Sequence, residues 1–403
     1  MLTAVNGLGE VISLFRSYSR SEINSLKEKG PYYCRECAKP VIVKAGEKRI
    51  PHFAHQMHSR CPESYENESQ YHLNGKVQLY NWLKQEGISS VLECYYPDIQ
   101  QRADIGFRLQ KQLYAIEFQC SAIADDLFYK RTQSYLKAGI IPIWILGANK
   151  FKRLDYNRIS LTQFNYLFLT QHQKKSWMIL SFCPNTKHFI FIKNPLPYSA
   201  KNAFAQMLIK PLKNTCTSDI LQIPDESAPL SFQKWLAMIR KQKNFAAVSH
   251  SSFSRELLYE LYNQGISPTS LPSEIGLPVF HSPNIQTPPI LWQTYLILDV
   301  VLKKQTFTIS DAVASFYKRV RNKNISLRRF PLALHSEEAK AVEEYLLLLE
   351  HLYIIKKNDE NIYYVHQKLQ FPLSQDEQEN CDQSLNKRFG KFIMKQASQN
   401  QLL

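Results

Sequence analysis

The chain contains no uninterrupted apolar run approaching the roughly 20 residues of a membrane-spanning helix. Its first residues also lack the charged, apolar and small-residue pattern of a secretory signal. These absences predict a cytoplasmic protein. Cysteine is sparse, with eight scattered residues in 403. Without a signal sequence they point to reduced thiols, any cluster among them being a metal site. Acidic residues are the scarcer charge: 35 Asp and Glu against 50 Lys and Arg leave a net charge of +15. Nucleic acid is the commonest partner of such a soluble chain and an anionic membrane surface the second, although excess Lys also serves solubility. A hydrophobic content of 44% supports real cores, and the length leaves room for more than one domain.

What is present is concentrated between Asn67 and Gly147. Asn67 and Gln70 read as a capping-box-like start for a helix reaching about Gln85 and closed by Gly87. Leu73, Val77, Tyr80 and Leu83 make its apolar stripe. Glu68, His72 and Lys76, spaced by four, share another. Residues 91–96, 102–109 and 113–121 are rich in β-formers and broadly alternating, and predict three strands. If Gln110 and Lys111 form a two-residue turn, Leu109 pairs with Gln112 and Asp104 falls opposite Glu117. Opposed residues have Cβ atoms about 4.5–5.5 Å apart, a reach that suits two carboxylates sharing a divalent cation. Without a cation the two repel, and one carries a raised pKa. A one-residue shift would put them on opposite faces.

A second helix is predicted over 124–138, ended by Gly139, with Phe128, Arg131 and Tyr135 on one stripe. Residues 140–146 are almost all apolar, the pattern of a strand buried on both faces. The order helix, three strands, helix, strand predicts an α/β core with an acidic site at one end of a hairpin. Each residue has a plainer reading. Glu68 could complement a helix dipole, His72 and Lys76 could form a solvated face, and Asp104 could pair with Arg102. Glu117 stands apart, because a carboxylate inside an apolar strand needs a partner or a metal.

Glu68 at a helix start, Asp104, and Glu117-Phe118-Gln119 resemble the PD-(D/E)XK nuclease superfamily, with Gln119 where the usual pattern has Lys. More narrowly, the stretch from Tyr32 to Gly147 resembles the competence protein CoiA family. The matching pieces are Cys34-x-x-Cys37, Pro51-His52-Phe53-Ala54-His55, Glu68-Ser69-x-x-His72, Gln101-Arg102-x-Asp104, Glu117-Phe118-Gln119-Cys120-Ser121 and Trp144-Ile145-Leu146-Gly147, in the family's order. The resemblance implies a role in natural transformation and a metal-dependent nuclease acting on incoming DNA or recombination intermediates. Asp104 and Glu117, with Glu68 as a candidate third, would hold Mg²⁺ or Mn²⁺. Gln119 can orient water but brings no charge, so Lys76, His72 and Arg131 become candidates to supply it. Arg131 and Tyr135 are expected half in the core and half against substrate. DNA, single-stranded or branched, is the expected partner, with a recombinase as a further one. The alternative is a non-catalytic recombination mediator that keeps a nuclease fold as a DNA-binding platform, which Gln119 favours. A defence nuclease against phage or plasmids is the third reading.

Upstream, Cys34 and Cys37 form a C-x2-C loop followed by His52, His55, His58 and Cys61, enough ligands for a structural zinc tetrahedron. Cys34, Cys37, His55 and Cys61 are favoured, with His52 the rival for either of the last two places. The competing reading is reduced cysteines beside surface histidines.

Downstream, Lys150, Lys152 and Arg153 open a basic connector. Strands near 166–170, 177–182 and 188–193 either extend the nuclease sheet or build a separate lobe. Helices are predicted at 231–243 and 253–265, and the Pro- and Ser-rich residues 266–290 read as a linker over a surface. Helices at 290–302, 310–321 and 336–352, followed by a hairpin, give the pattern of a winged-helix domain. Arg319, Arg321, Arg328 and Arg329 would be its phosphate contacts. A helical protein-docking domain carries equal weight. The glutamine-rich tail after Asp376 reads as frayed, apart from a short helix over 385–395. The expected division is a zinc module at 1–64, a nuclease-like core at 65–150, a mixed region at 151–285 and a helical domain at 286–403.

Overall fold

In the computed structural model, residues 1–15, 18–46, 49–56, 68–172, 176–222, 230–248, 253–332 and 337–398 are described. The N-terminal module is built on β1 (Thr3–Asn6), β2 (Val11–Ser13), α1 (Arg20–Glu28), β3 (Tyr32–Tyr33), β4 (Pro40–Gly46) and β5 (Arg49–His55), with sheet order β2-β1-β3-β4-β5. Ser19 starts α1 with a reciprocal capping box to Glu22. The module's own core is small, formed by Leu14, Tyr32, Val41, Val43 and Phe53 around Cys34.

The central region opens with α2 (Gln70–Gln85). Its cap is Ser69, whose side chain accepts from the His72 amide at 3.2 Å. Asn67, expected in that role, lies outside the described residues. The strands β6 (Ser90–Tyr96), β7 (Gln101–Leu109) and β8 (Gln112–Gln119) are antiparallel neighbours. The expected register is observed: Leu109 pairs with Gln112 and Ile105 with Ile116. Gln110 takes a φ of +55° to turn the chain. The crossover helix α3 (Asp125–Lys137) ends at Gly139, φ +71°, and delivers β9 (Ile140–Gly147) parallel to β8. The two helices cover opposite faces. Leu73, Leu79 and Leu83 of α2 pack on Ile105, Ile116 and Phe118, whereas Tyr135 of α3 packs on Ala103 and Ala115. Gly75 is what lets α2 sit so low, since a Cβ there would lie 2.0 Å from the Phe118 ring.

The sheet does not stop at residue 150. It continues through β10 (Lys152–Arg153), β11 (Arg158–Ser160), the short α4 (Gln163–Tyr166), β12 (Thr170–His172), β13 (Ser176–Cys183), β14 (His188–Pro197) and β15 (Asn202–Pro211), before α5 (Thr217–Leu221). The strand path is β10-β11-β15-β14-β13-β9-β8-β7-β6, with β12 on β13. The division expected at 150 therefore falls inside one sheet. The parallel β9–β13 pairing that joins the halves was not visible in residue composition.

The C-terminal region contains α6 (Phe232–Val248), α7 (Arg255–Asn263), α8 (Pro289–Leu296, running on into a π turn at Ile297–Val301), β16 (Thr306–Phe307), α9 (Ile309–Arg321), α10 (Glu338–His351), β17 (Ile355–Lys357), β18 (Tyr363–Val365) and α11 (Gln375–Ser398). Its small sheet has the order β16-β18-β17. Two sequence expectations change here. The segment 266–290 is no surface linker, because Leu271, Ile275, Leu277, Val279 and Phe280 are buried. The tail forms one helix whose Leu385, Ile393, Met394 and Ala397 join the apolar cluster, so polar composition hid a sparse buried stripe.

Candidate active site

The acids meet where β7 and β8 separate. Ladder pairing between these strands ends at Ile105 and Ile116, so the next step sets Asp104 against Glu117. Instead of backbone pairing, the Asp104 carboxylate fills the gap, its Oδ2 accepting from the Phe118 amide at 2.8 Å. On the other side of β7, Leu92 pairs with Ile105 and Cys94 with Ala103, bracketing Glu93 opposite Asp104. Glu93 has a φ of +50°, a left-handed backbone that costs a non-glycine residue on the order of 1–3 kcal/mol and clusters at functional sites. Three neighbouring strands thus each contribute one acid.

Helix α2 supplies the counter-charges. Lys76, at 0% exposure, places Nζ 2.6 Å from Glu68, 2.6 Å from Glu93 and 3.5 Å from Asp104. It is no part of a solvated face. Burial would lower the Lys76 pKa, and the carboxylates of Glu68, Glu93 and Asp104 overcome this and raise it. His72 Nε2 lies 3.2 Å from Asp104 Oδ2. Burial works against the charged ring, but Asp104 raises its pKa. Reciprocally, burial opposes ionisation of Asp104, while His72 and Lys76 hold its carboxyl below the usual range. Glu68 is likewise held well below its ordinary value against burial, chiefly by Lys76. Glu93 is brought down to about 2 by Lys76 and Arg102 despite complete burial. The backbone amides of Leu2 and Thr3 donate to Glu93 at 2.7 and 2.8 Å, and the Thr3 hydroxyl donates at 2.8 Å.

Glu117 turns to α3. Its Oε1 accepts from Arg131 Nη2 and from the Tyr135 hydroxyl, each at 2.5 Å. Burial pushes its pKa up to about 7, with Arg131 lowering and the Asp104 charge further raising it. Arg131 is partly open, its side chain 23% exposed; Tyr135 is fully buried. Gln119 is buried, and its amide donates to the Ser121 carbonyl at 2.9 Å. Arg102 does not serve Asp104 as its ion-pair partner; its guanidinium meets Glu36 at 2.8 Å and Glu93 at 3.8 Å.

Sequence reasoning gathered Glu68, His72, Lys76, Asp104, Glu117, Arg131 and Tyr135, and all lie in this connected cluster. It missed Glu93, although the same signal that marked Glu117, an acid inside an apolar strand, is present at Val91-Leu92-Glu93-Cys94. It also missed Glu36, for which position between two cysteines gave no hint.

In the N-terminal module the knuckle brings Cys34, Cys37 and His55 together, their ligand atoms within 4.8 Å of one another. Among the described residues no other three His, Cys, Asp or Glu groups converge this closely. Cys37 Sγ is 3.3 Å from His55 Nε2, and burial keeps His55 below its ordinary pKa, in the neutral form that binds metals. His52 bonds its ring to the Ile50 carbonyl at 2.9 Å and is not part of the group. Cys61 and His58 lie outside the described residues.

The distant arginines divide. Arg319 is forked between Asp299 and Glu260, at 2.7–2.8 Å, over the Tyr295 ring. Arg328 is buried, donates to the Pro283 and Ile285 carbonyls, and stacks 3.9 Å from the Tyr166 ring centroid. Both heads serve the fold, which corrects their expected place on a phosphate-facing patch. Arg321 and Arg329 are exposed.

A helix-flanked sheet with acids gathered at a strand separation, joined to a cysteine–histidine knuckle, defines a nuclease-like α/β protein. Family profiles agree over most of the chain: "Competence protein CoiA, nuclease-like domain" matches residues 68–225, the family's N-terminal domain 15–64 and its C-terminal domain 230–378. The chain belongs to the CoiA family of competence proteins. Competence protein CoiA of Bacillus subtilis (strain 168) is 29% identical over 342 residues, covering 83% of this chain and 90% of that protein. No solved structure matches significantly.

Proposed function

We propose that this chain is a metal-dependent deoxyribonuclease of natural transformation, acting on incoming single-stranded or branched DNA. The observation that carries this reading is the Asp104–Glu117 pair at the strand separation, with Glu117 poised near pH 7 by burial and by its acidic neighbour. Such a pair fits Mg²⁺ or Mn²⁺, which commonly takes one or two carboxylates and keeps several waters. The bound ion would acidify a water and offset charge developing on the phosphate. Glu68, engaged by Lys76, is better understood as supporting the cluster than as a third ligand.

The remaining roles belong to the chain's own groups. Lys76 is enclosed by carboxylates and keeps them together. Arg131, the partly exposed cation beside Glu117, is best placed to meet a phosphate, and so supplies the charge that Gln119 lacks. A zinc ion on Cys34, Cys37 and His55 would be structural. Single-stranded DNA is supported by the β10–β11 hairpin. There Lys152 and Arg153 are exposed, Tyr156 is 71% exposed, and Arg153 lies 5.7 Å from the Tyr156 ring centroid. Bases stack on such aromatics while cations track the backbone.

The second reading, a non-catalytic mediator, draws on uncharged Gln119 and on the fact that each carboxylate already has a basic partner. Cleavage of labelled single-stranded, duplex and branched DNA with Mg²⁺ or Mn²⁺ separates the two. Wild type is compared with Asp104→Ala and Glu117→Ala, each first shown to be folded and DNA-binding. Metal-dependent cutting lost in both variants is expected. No cutting by wild type, with binding intact in all three proteins, would favour the mediator and make the acids structural.

A further inference from the structure

The loop between the two knuckle cysteines reaches the acidic site. Cys34-Arg35-Glu36-Cys37 is tightened by the Ala38 amide donating to the Cys34 carbonyl at 3.0 Å and the Cys34 amide donating to the Lys39 carbonyl at 2.9 Å. From this turn Glu36, its side chain 6% exposed, meets Arg102 Nε at 2.8 Å. Arg35 donates to the Glu93 carbonyl at 3.3 Å. Arg102 stands on β7 two residues before Asp104, with its other side 3.8 Å from Glu93. Glu93, held in a left-handed conformation, takes Lys76, which also touches Glu68 and Asp104. A continuous run of ion pairs therefore connects Glu36 to Asp104: Glu36, Arg102, Glu93, Lys76, Asp104.

We infer that Glu36 is a positioning residue of the acidic site, acting through Arg102. With the Glu36 carboxylate in place, Arg102 is shared between Glu36 and Glu93, and Lys76 is left to Glu93, Glu68 and Asp104. Without that carboxylate, Arg102 closes on Glu93, and the Lys76 charge bears more strongly on Asp104. A positive charge pressed onto Asp104 competes with a divalent cation there. It also disfavours the protonated form of His72. The N-terminal module is thus a working part of the site. This inference rests on the nuclease reading for its consequence in catalysis, though not for its physical test.

The test uses the full chain and four proteins: wild type, Glu36→Gln, Arg102→Gln and the double variant. Two quantities are read. In protein free of Mg²⁺ and Mn²⁺ but with any metal on the cysteine–histidine knuckle retained, His72 is titrated by NMR of labelled histidine; with Mn²⁺ added, affinity is followed by calorimetry. The His72 pKa is expected to fall by about half a unit or more in Glu36→Gln and Mn²⁺ affinity to drop several-fold. Adding Glu36→Gln to Arg102→Gln should change neither. An equal effect in both backgrounds would overturn the inference, since a simple loss of field would persist without Arg102. No effect of Glu36→Gln on His72 in the wild-type background would also overturn it. Absence of Mn²⁺ binding by wild type would defeat the nuclease reading while leaving the His72 comparison to decide this one. Should Glu36→Gln fail to fold, Glu36→Asp, which keeps the charge but shortens the reach, is expected to give the same direction of change.

Discussion

Glu117 makes the cost of the site measurable. An acid whose pKa is raised from 4.5 to about 7 on folding favours the folded state fully below its unfolded pKa and loses that contribution as pH rises through 7. Each tenfold change in an acid's dissociation constant is worth about 1.4 kcal/mol, so the full loss is on the order of 3 kcal/mol, of which about 2–3 kcal/mol falls between pH 5 and 8. Asp104 and Glu93 have the opposite sign: their lowered values add stability above the ordinary carboxylate range, lost as pH falls through it. Between pH 5 and 8, then, the cluster's contribution comes from Glu117 and from His72, whose raised pKa has the same sign. Wild type free of Mg²⁺ and Mn²⁺ should lose stability over this interval in denaturant titrations, and Glu117→Gln should lose about 2 kcal/mol less. Equal slopes for the two proteins would show that Arg131 and Tyr135 compensate the carboxylate fully.

Among the elements, legibility followed period and locality. The helix–strand–strand–strand–helix–strand core could be read from residues, and the hairpin register followed from a two-residue turn that Gln110 accommodates. What stayed hidden was non-local. Nothing near Glu93 announces its opposition to Asp104, and nothing near Cys37 announces Arg102. Arg319 and Arg328 illustrate the same limit, because a basic run looks solvated until its acidic and aromatic partners arrive from distant segments. The order helix, strand, helix, helix, hairpin, with β16-β18-β17 pairing, fits the winged-helix pattern. Yet α10, third in that pattern, carries Glu338, Glu343, Glu344 and Glu350, and the hairpin tip carries Asp359 and Glu360. That sign is wrong for a phosphate backbone and favours protein docking. Accordingly, Arg319→Ala should cost about 2 kcal/mol in thermal or chemical unfolding, less than a fully buried pair because Glu260 is 33% exposed. The exposed pair Arg321→Ala/Arg329→Ala should leave the salt dependence of DNA binding nearly unchanged. A slope reduced by about 1.4, or roughly 0.7 for each phosphate left unneutralised on a single strand, would restore the DNA-facing reading of this module.

At the scale of the whole molecule, the C-terminal region completes the sheet. Leu196, Tyr198 and Phe204 of β14, β15 and their turn belong to the same apolar cluster as Trp235 of α6 and Trp292 of α8. Trp177 of β13 donates its indole N–H to the Phe280 carbonyl at 3.1 Å, and Gln242 of α6 donates to the Tyr198 carbonyl at 2.7 Å. Next to Phe280, His281 is buried between Glu337 and Glu344, at 3.1 and 2.6 Å, which fastens this junction to α10. The 266–290 segment is therefore the joint itself, and its many prolines fix an irregular path through a core. A fragment ending at Gln222 would expose the Trp177 face and the β14–β15 end of the sheet, an apolar patch of the kind that drives association. Such a fragment should bind a hydrophobic dye and aggregate, or melt well below the intact chain. The intact chain should unfold without a separate transition for residues 230–398. If residues 1–222 instead remain monomeric with an unchanged melting temperature, the C-terminal region is a separable attachment. The nuclease-like unit would then be the core and N-terminal module alone, held together by Glu36 and Arg102.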